Sequence, residues 1–246
     1  EGRDGEWMFD LSSGSLKPWK EWLESLRIVA AGDFTGGVSA DCDPAALVFI
    51  GVDINGEVFV LDVYVRRVMP SELIRKGYEL SELWRADAIV WEDYGVQNAW
   101  ASVALDESRK LRDAGRYAPF VLDTHKRNYT QDKPTRAMFT LEPLFRNRHI
   151  RLLREADFTM ADGTKLTPIP TPHRAYHNEL KRQIDTCTDK GCSGHDDALD
   201  ALEMAVRVSG RRGKWNAKKP PADEGDRIIE EWREAATKKS QQEEAD

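Results

Sequence analysis

Two apolar runs of strand length, residues 27–33 (RIVAAGD) and 45–52 (AALVFIGV), flank a loop rich in Gly, Ser and Asp. A third run at 57–67 (EVFVLDVYVRR) is β-branched and aromatic, and the Asn55-Gly56 before it is a strong hairpin signal. The spacing therefore predicts three consecutive antiparallel strands. The apolar period then changes to 3.6 over 70–84, with Pro70 as a starter and Leu73, Leu80, Leu83 and Trp84 on one face, which predicts a helix. Short apolar stretches at 87–91 and 119–122 read as strands on either side of a helix at 96–114, giving a β-α-β-α-β succession. Further on, the pattern predicts a helix over 133–147, a strand over 149–153, a hairpin around Asp162-Gly163, a helix over 174–184 and a final helix over 196–208. The fold class expected is α/β, a mixed sheet flanked by helices with an extra β-hairpin.

The ends differ from this middle. Trp19, Trp22, Leu23 and Leu26 share one face of a short predicted helix, so residues 1–26 read as a partly helical linker or docking segment. Residues 27–210 form the expected core domain, and 211–246 a charged tail opening on a Gly/Pro/Lys linker. Nowhere does the sequence hold the roughly 18-residue apolar run of a membrane span. The chain opens at Glu1 without a basic-then-apolar leader and reads as a piece of something longer. Three cysteines (Cys42, Cys187, Cys192) argue against a disulfide scaffold and for a reducing compartment. A zinc site from Cys187, Cys192 and His195 lacks a fourth ligand, so incidental thiols are the expectation.

Charge changes the picture of partners. The net charge is -7, yet residues 120–185 hold twelve Lys/Arg against eight Asp/Glu and four of the five His. One basic segment within an acidic chain suggests a single polyanion-binding face. Lys126 and Arg127, following the predicted strand at 119–122, and Lys133, Arg136, Lys181 and Arg182 on flanking helices are the candidate contacts to such a polyanion. Phosphate contacts of this kind fix register without reading sequence.

Acidic residues stand where strands end. Asp33 closes the first strand in Gly32-Asp33-Phe34-Thr35, Glu92 follows the strand Ala88-Ile89-Val90-Trp91, and Asp196-Asp197-Ala198-Leu199-Asp200 opens the last helix. Taken singly, an Asp at a strand end is a turn former, and an Asp pair at a helix start is a cap. Taken in order, with parallel neighbouring strands one and four, they converge on one sheet edge. Carboxylates so gathered need cations, and hard divalent ions, Mg2+ or Mn2+, suit oxygen donors and phosphodiester hydrolysis. Asp93 and His195, adjoining these acids, are accessory candidates.

The segments GDFTGG, DPAALVFIGVDINGEVFVLDVYVRR, IVWEDYGVQNA and GHDDALDALEMA occur in the order and at the separations of the C-terminal nuclease domain of the tailed-bacteriophage terminase large subunit, which 27–210 resembles. The resemblance implies a ribonuclease H-like fold and a metal-dependent endodeoxyribonuclease that cuts concatemeric viral DNA during packaging with two metal ions. By motif, Asp33, Glu92 and Asp197 become the catalytic, metal-binding acids, with Asp196 and Asp200 as alternates. The family's first strand often continues Asp-Pro-Ala where this chain has Asp33-Phe34-Thr35, which leaves open a role for Asp41 or Asp43. The resemblance further implies double-stranded DNA, a packaging ATPase domain, a small terminase subunit and a portal as partners, and the host cell cytoplasm as the place of action. The sequence contains no G-x-x-x-x-G-K-[ST] phosphate loop, so no ATPase motif accompanies the nuclease. Two other readings remain: a Holliday-junction resolvase or integrase-type nuclease on the same fold, and a DNA-binding, motor-coupling module that does not cut.

Overall fold

A computed structural model describes residues 7–10, 15–34, 38, 39, 42–92, 98–122, 133–152, 158, 159, 165, 166, 174–188, 191, 192 and 194–210. Asp93, Lys126, Arg127, the Asp162-Gly163 turn and the tail after 210 lie outside them. The chain divides into two units, Glu1–Gly213 and Lys214–Asp246. The elements, in order, are β1 (Trp7–Asp10), β2 (Ser15–Pro18), α1 (Trp19–Glu24), β3 (Arg27–Asp33), β4 (Ala45–Val52), β5 (Val58–Arg66), α2 (Pro70–Trp84), β6 (Ala88–Trp91) and α3 (Asn98–Asp113). They continue with β7 (Phe120–Leu122), α4 (Lys133–Arg146), β8 (Ile150–Arg151), β9 (Phe158–Thr159), β10 (Lys165–Leu166), α5 (Arg174–Thr186), β11 (Cys187–Thr188), β12 (Gly191–Cys192) and α6 (Asp197–Val208).

Six strands form the central sheet in the order β7-β6-β3-β4-β5-β8. β4 runs antiparallel to both β3 and β5, whereas β6 is parallel to β3, β7 to β6 and β8 to β5. The antiparallel trio and the β-α-β-α-β succession are thus as the sequence predicts. Every residue of β4 is buried. A strand covered on both faces reads as a continuous apolar run rather than an alternating one, which AALVFIGV does.

Alternating side chains feed two cores. Val29, Ala31, Val48, Ile50, Val63 and Val90 pack with Ala137 and Leu141 of α4, Leu180 of α5 and Ala198, Ala201, Leu202 and Ala205 of α6. On the opposite face Ile28, Ala30, Leu47, Phe49, Leu61, Ile89 and Trp91 pack with Trp22 of α1, Leu73 and Ile74 of α2 and Ala104 of α3. Helices therefore cover both faces, and burial of such side chains contributes roughly 1.5–3 kcal/mol each before entropy is subtracted.

The first helix joins this second core. Trp22 and Leu26 are buried, and Trp22 meets Phe59 edge-on with 5.1 Å between ring centroids. Trp91 fills the space that Gly32 and Gly77 leave without side chains. A Cβ on Gly32 would stand 2.4 Å from its ring, and one on Gly77 2.7 Å. The same indole stacks on Phe34. These contacts fix the carboxyl ends of β3 and β6 at the point where both acids follow.

One expectation is corrected here. Cys187 and Cys192 are not incidental thiols but are joined in a disulfide, because antiparallel pairing of β11 with β12 sets Cys187 opposite Cys192 with their Cα atoms 3.9 Å apart. Neither sulfur is then a thiolate ligand for zinc. Cys42 is the free cysteine among the described residues.

Candidate active site

Parallel pairing of β3 and β6 aligns Gly32 with Trp91, and the Glu92 N–H donates to the Gly32 carbonyl at 2.8 Å. Asp33 and Glu92 are therefore the next residues on two adjacent strands, which lie about 4.8 Å apart in such a ladder. Their faces follow from the pleat. Asp33 has the parity of Val29 and Ala31, and Glu92 that of Val90, so both belong to the face covered by α6. Both are buried, at 3% and 4% relative exposure.

Helix α6 lies over β3 and β4 and touches β6. Its first turn carries Asp197 and Asp200, 7% and 2% exposed, and Asp196 precedes it as the N-cap residue. The Asp196 side chain makes no capping hydrogen bond. Another side chain does that work: the Leu199 N–H, one of the donors that a helix start leaves without an intrahelical partner, donates to Gln183 Oε1 of α5 at 3.0 Å. Gln183 is fully buried, and its Nε2 donates to Glu179, which also holds Arg182 through two hydrogen bonds. Farther along α6, Glu203 accepts from Thr140 of α4 and pairs with Arg207, so its buried carboxylate ties α4 to α6.

Gln183 is a functional candidate that the sequence reading passes over. Replacing it with Leu leaves the Leu199 N–H without its buried acceptor and is expected to cost about 1–3 kcal/mol. Urea denaturation measures the loss, and a Gln183→Leu chain as stable as the wild type would contradict the capping role.

The Arg182 hydrogen bonds hold the Glu179 carboxyl below the usual carboxylate range. A depressed folded-state value means that the contribution is present above the unfolded value and is lost as pH falls through the folded one. The stability difference between wild type and Glu179→Gln should accordingly shrink on acidification from about pH 7 to about pH 3. A difference constant over that range would contradict the linkage.

His195 sits between two loops. Its Nδ1 lies 2.7 Å from Asp43 Oδ1 and its Nε2 lies 3.3 Å from Arg67 Nη2. Arginine can only donate, so Nε2 accepts and Nδ1 carries the proton that goes to Asp43. This ties the approach to α6 to the β3–β4 connection and to the end of β5. Asp43 thus reaches the residue before the acidic pair; Asp41 is outside the described residues.

Parallel pairing sets Asp33 and Glu92 on adjacent strand ends, and α6, whose first turn carries Asp197 and Asp200, packs against β3 and β6. Lys181 and Arg182 are exposed on α5, with Arg182 engaged by Glu179, and Lys133 and Arg136 fall in the first turn of α4. Arg66 and Arg67, at the end of β5, are a basic pair missing from the sequence candidates. Two arginines closing the third predicted strand, which in an antiparallel succession of three runs in the same direction as the first, are the signal that could have found them.

An all-oxygen set of acids at one edge has the chemistry of a hard divalent-cation site. Among the described residues, however, no group of three or more His, Cys, Asp or Glu side chains is arranged to hold an ion. Asp33 and Glu92 are the neighbouring pair, and a carboxylate from α6 must draw closer to complete a set. Among the described residues no helix is long and apolar enough to cross a membrane.

No family model and no curated protein matches the sequence. Among solved structures the chain is similar to the yeast mitochondrial Holliday junction resolvase, at 13% identity over 77% of this chain and 82% of that one, with a TM-score of 0.44. It is also similar to the large terminase subunit of bacteriophage sf6 with calcium, at 11% identity over 76% and 96%, with a TM-score of 0.41. The human cytomegalovirus terminase nuclease domain, Mn soaked and inhibitor bound, matches over 76% of this chain and 86% of that one at 12% identity, with a TM-score of 0.50. That likeness is one of fold: the chain has the mixed α/β sheet of ribonuclease H-like nucleases and resembles the terminase nuclease domain in its architecture.

Proposed function

We propose that the chain is a divalent-metal-dependent DNA endonuclease of the terminase type, cutting concatemeric viral DNA during genome packaging. The observation that carries this reading is the register of β3 and β6, which sets two buried carboxylates, Asp33 and Glu92, side by side on the face covered by an acid-opened helix. Asp33 and Glu92 would hold Mg2+ or Mn2+ with Asp197, or with Asp196 or Asp200 in its place. Two such ions would supply Lewis acidity to the phosphoryl oxygens and a water nucleophile at neutral pH. The protein's share is to fix the strand ends through Trp91, to cap α6 through Gln183 and so keep the Asp196 side chain out of the capping bond, and to order His195 beside the acids. Bulk water is limited there by the burial of Asp33, Glu92, Asp197 and Asp200.

Lys126, Arg127, Lys133, Arg136, Lys181 and Arg182 would neutralise backbone phosphates. Residues 1–26, apart from the Trp22 and Leu26 side chains that pack into the core, and 211–246 would serve as the docking segment for a packaging ATPase domain and as a portal- or partner-binding tail of the nuclease domain 27–210. A small terminase subunit and the host cell cytoplasm complete this reading, which takes packaging from the sequence resemblance and nuclease chemistry from the acids. Supercoiled plasmid incubated with the chain and Mg2+, Mn2+ or EDTA tests it. Nicking or linearisation in either metal and none in EDTA is expected; equal cleavage in EDTA would contradict it.

A further inference from the structure

The carboxyl edge that carries the acids extends beyond them. The register runs Asp33 to Ala46 across β3 and β4, then Ala46 to Val65 across β4 and β5. Arg66 and Arg67 follow Val65 directly, so they emerge at the same edge two strands from Asp33, a lateral distance of about 10 Å. Arg67 has the parity of Val63 and Val65, which face α6, and it reaches His195 just before the acidic pair.

Both arginines are exposed, and both are anchored through Nε by neutral groups. Arg66 Nε donates to Tyr176 Oη at 2.6 Å, and Tyr176 is itself held edge-on against Tyr64. Arg67 Nε donates to the Cys42 carbonyl at 2.7 Å, and its Nη2 lies 3.3 Å from His195 Nε2. Three exposed arginines elsewhere are held by carboxylates, Arg109 by Asp106, Arg116 by Glu82 and Arg182 by Glu179, and Arg85 lies over the Tyr117 ring. A guanidinium positioned by a phenol, a carbonyl and an imidazole keeps its full charge for an anion. Its orientation is also set in advance, which lowers the entropy lost on binding.

We propose that Arg66 and Arg67 form a clamp for backbone phosphates of one strand of duplex DNA, on the β5 side of the carboxylates. The proposal rests on the nuclease reading for the identity of the polyanion. A separation of about 10 Å places the clamp within a phosphate or two of the acids along the same strand. The strand would then be held beside the cutting point without any base being read.

The test is binding of a fluorescently labelled duplex to the full chain in EDTA over a range of KCl concentrations, with Arg66→Gln, Arg67→Gln, the double variant, and Arg109→Gln as an exposed arginine elsewhere. Each clamp substitution should weaken binding about five-fold at 0.15 M salt and lower the salt slope by about 0.9, and the double variant by about twice that. Arg109→Gln should change neither. An unchanged slope in the double variant, an equal loss in Arg109→Gln, or no salt-dependent binding by the wild type would each overturn the clamp. Because EDTA excludes metal-dependent cleavage, a clamp that behaves as expected in a chain that never cuts plasmid would uphold this proposal while contradicting the nuclease reading.

Discussion

Asp33→Asn is expected to lower metal-dependent DNA cleavage by about a thousandfold or more, equivalent to about 4 kcal/mol of lost transition-state stabilisation. Asn occupies the same volume, so the packing at the end of β3 is kept while the charge that would hold a cation is removed. Glu92→Gln should do the same from the adjacent strand. Neither should weaken the fold in EDTA, because each removes one of two like charges brought to neighbouring strand ends. Glu107→Gln, on the exposed side of α3, should leave cleavage unchanged. The measurement is the plasmid nicking rate of each variant in Mn2+ beside its thermal midpoint in EDTA. Full activity in Asp33→Asn would remove the acid from the mechanism, and loss of activity with a large fall in midpoint would make its role structural.

The second large effect is expected from a single methyl group. In Gly32→Ala the new Cβ would meet Trp91 at 2.4 Å and Leu47 Cδ2 at 3.0 Å. Trp91 cannot retreat easily, since it is fully buried, stacked on Phe34 and edge-on to Tyr78. Overpacking of this kind costs about 1–3 kcal/mol and should lower the thermal midpoint by several degrees in a domain of this size. Because Asp33 follows Gly32 and Glu92 follows Trp91, cleavage should fall by more than the fraction of chain unfolded. A variant with an unchanged midpoint would show that the indole is not wedged as described.

These two positions illustrate what the sequence disclosed. The strands β3 to β5, helix α2 and strand β6 were legible because each has an unbroken apolar run or a clean period of 3.6, and Asn55-Gly56 fixed the turn between β4 and β5. The pairing of β3 with β6 was legible only as a condition; the structure supplies it, and with it the common face of Asp33 and Glu92. Gln183 was illegible because a polar residue in an amphipathic helix reads as surface, and only the approach of α6 makes it a buried cap. The Cys187–Cys192 bond was illegible because three cysteines read as unpaired, while the short hairpin that joins two of them leaves almost no pattern. Trp22 and Leu26 read as the face of a linker or docking helix because the core they enter is built from β-strand residues farther along the chain.

The central claim is that Asp33 and Glu92 hold divalent metal together with a carboxylate from the start of α6. Anomalous diffraction from crystals soaked in Mn2+ tests it most directly. The account predicts manganese peaks contacting Asp33 and Glu92, with Asp197, Asp196 or Asp200 drawn to the same ions. Manganese bound elsewhere, with both strand-end carboxylates untouched at saturating metal, would contradict it.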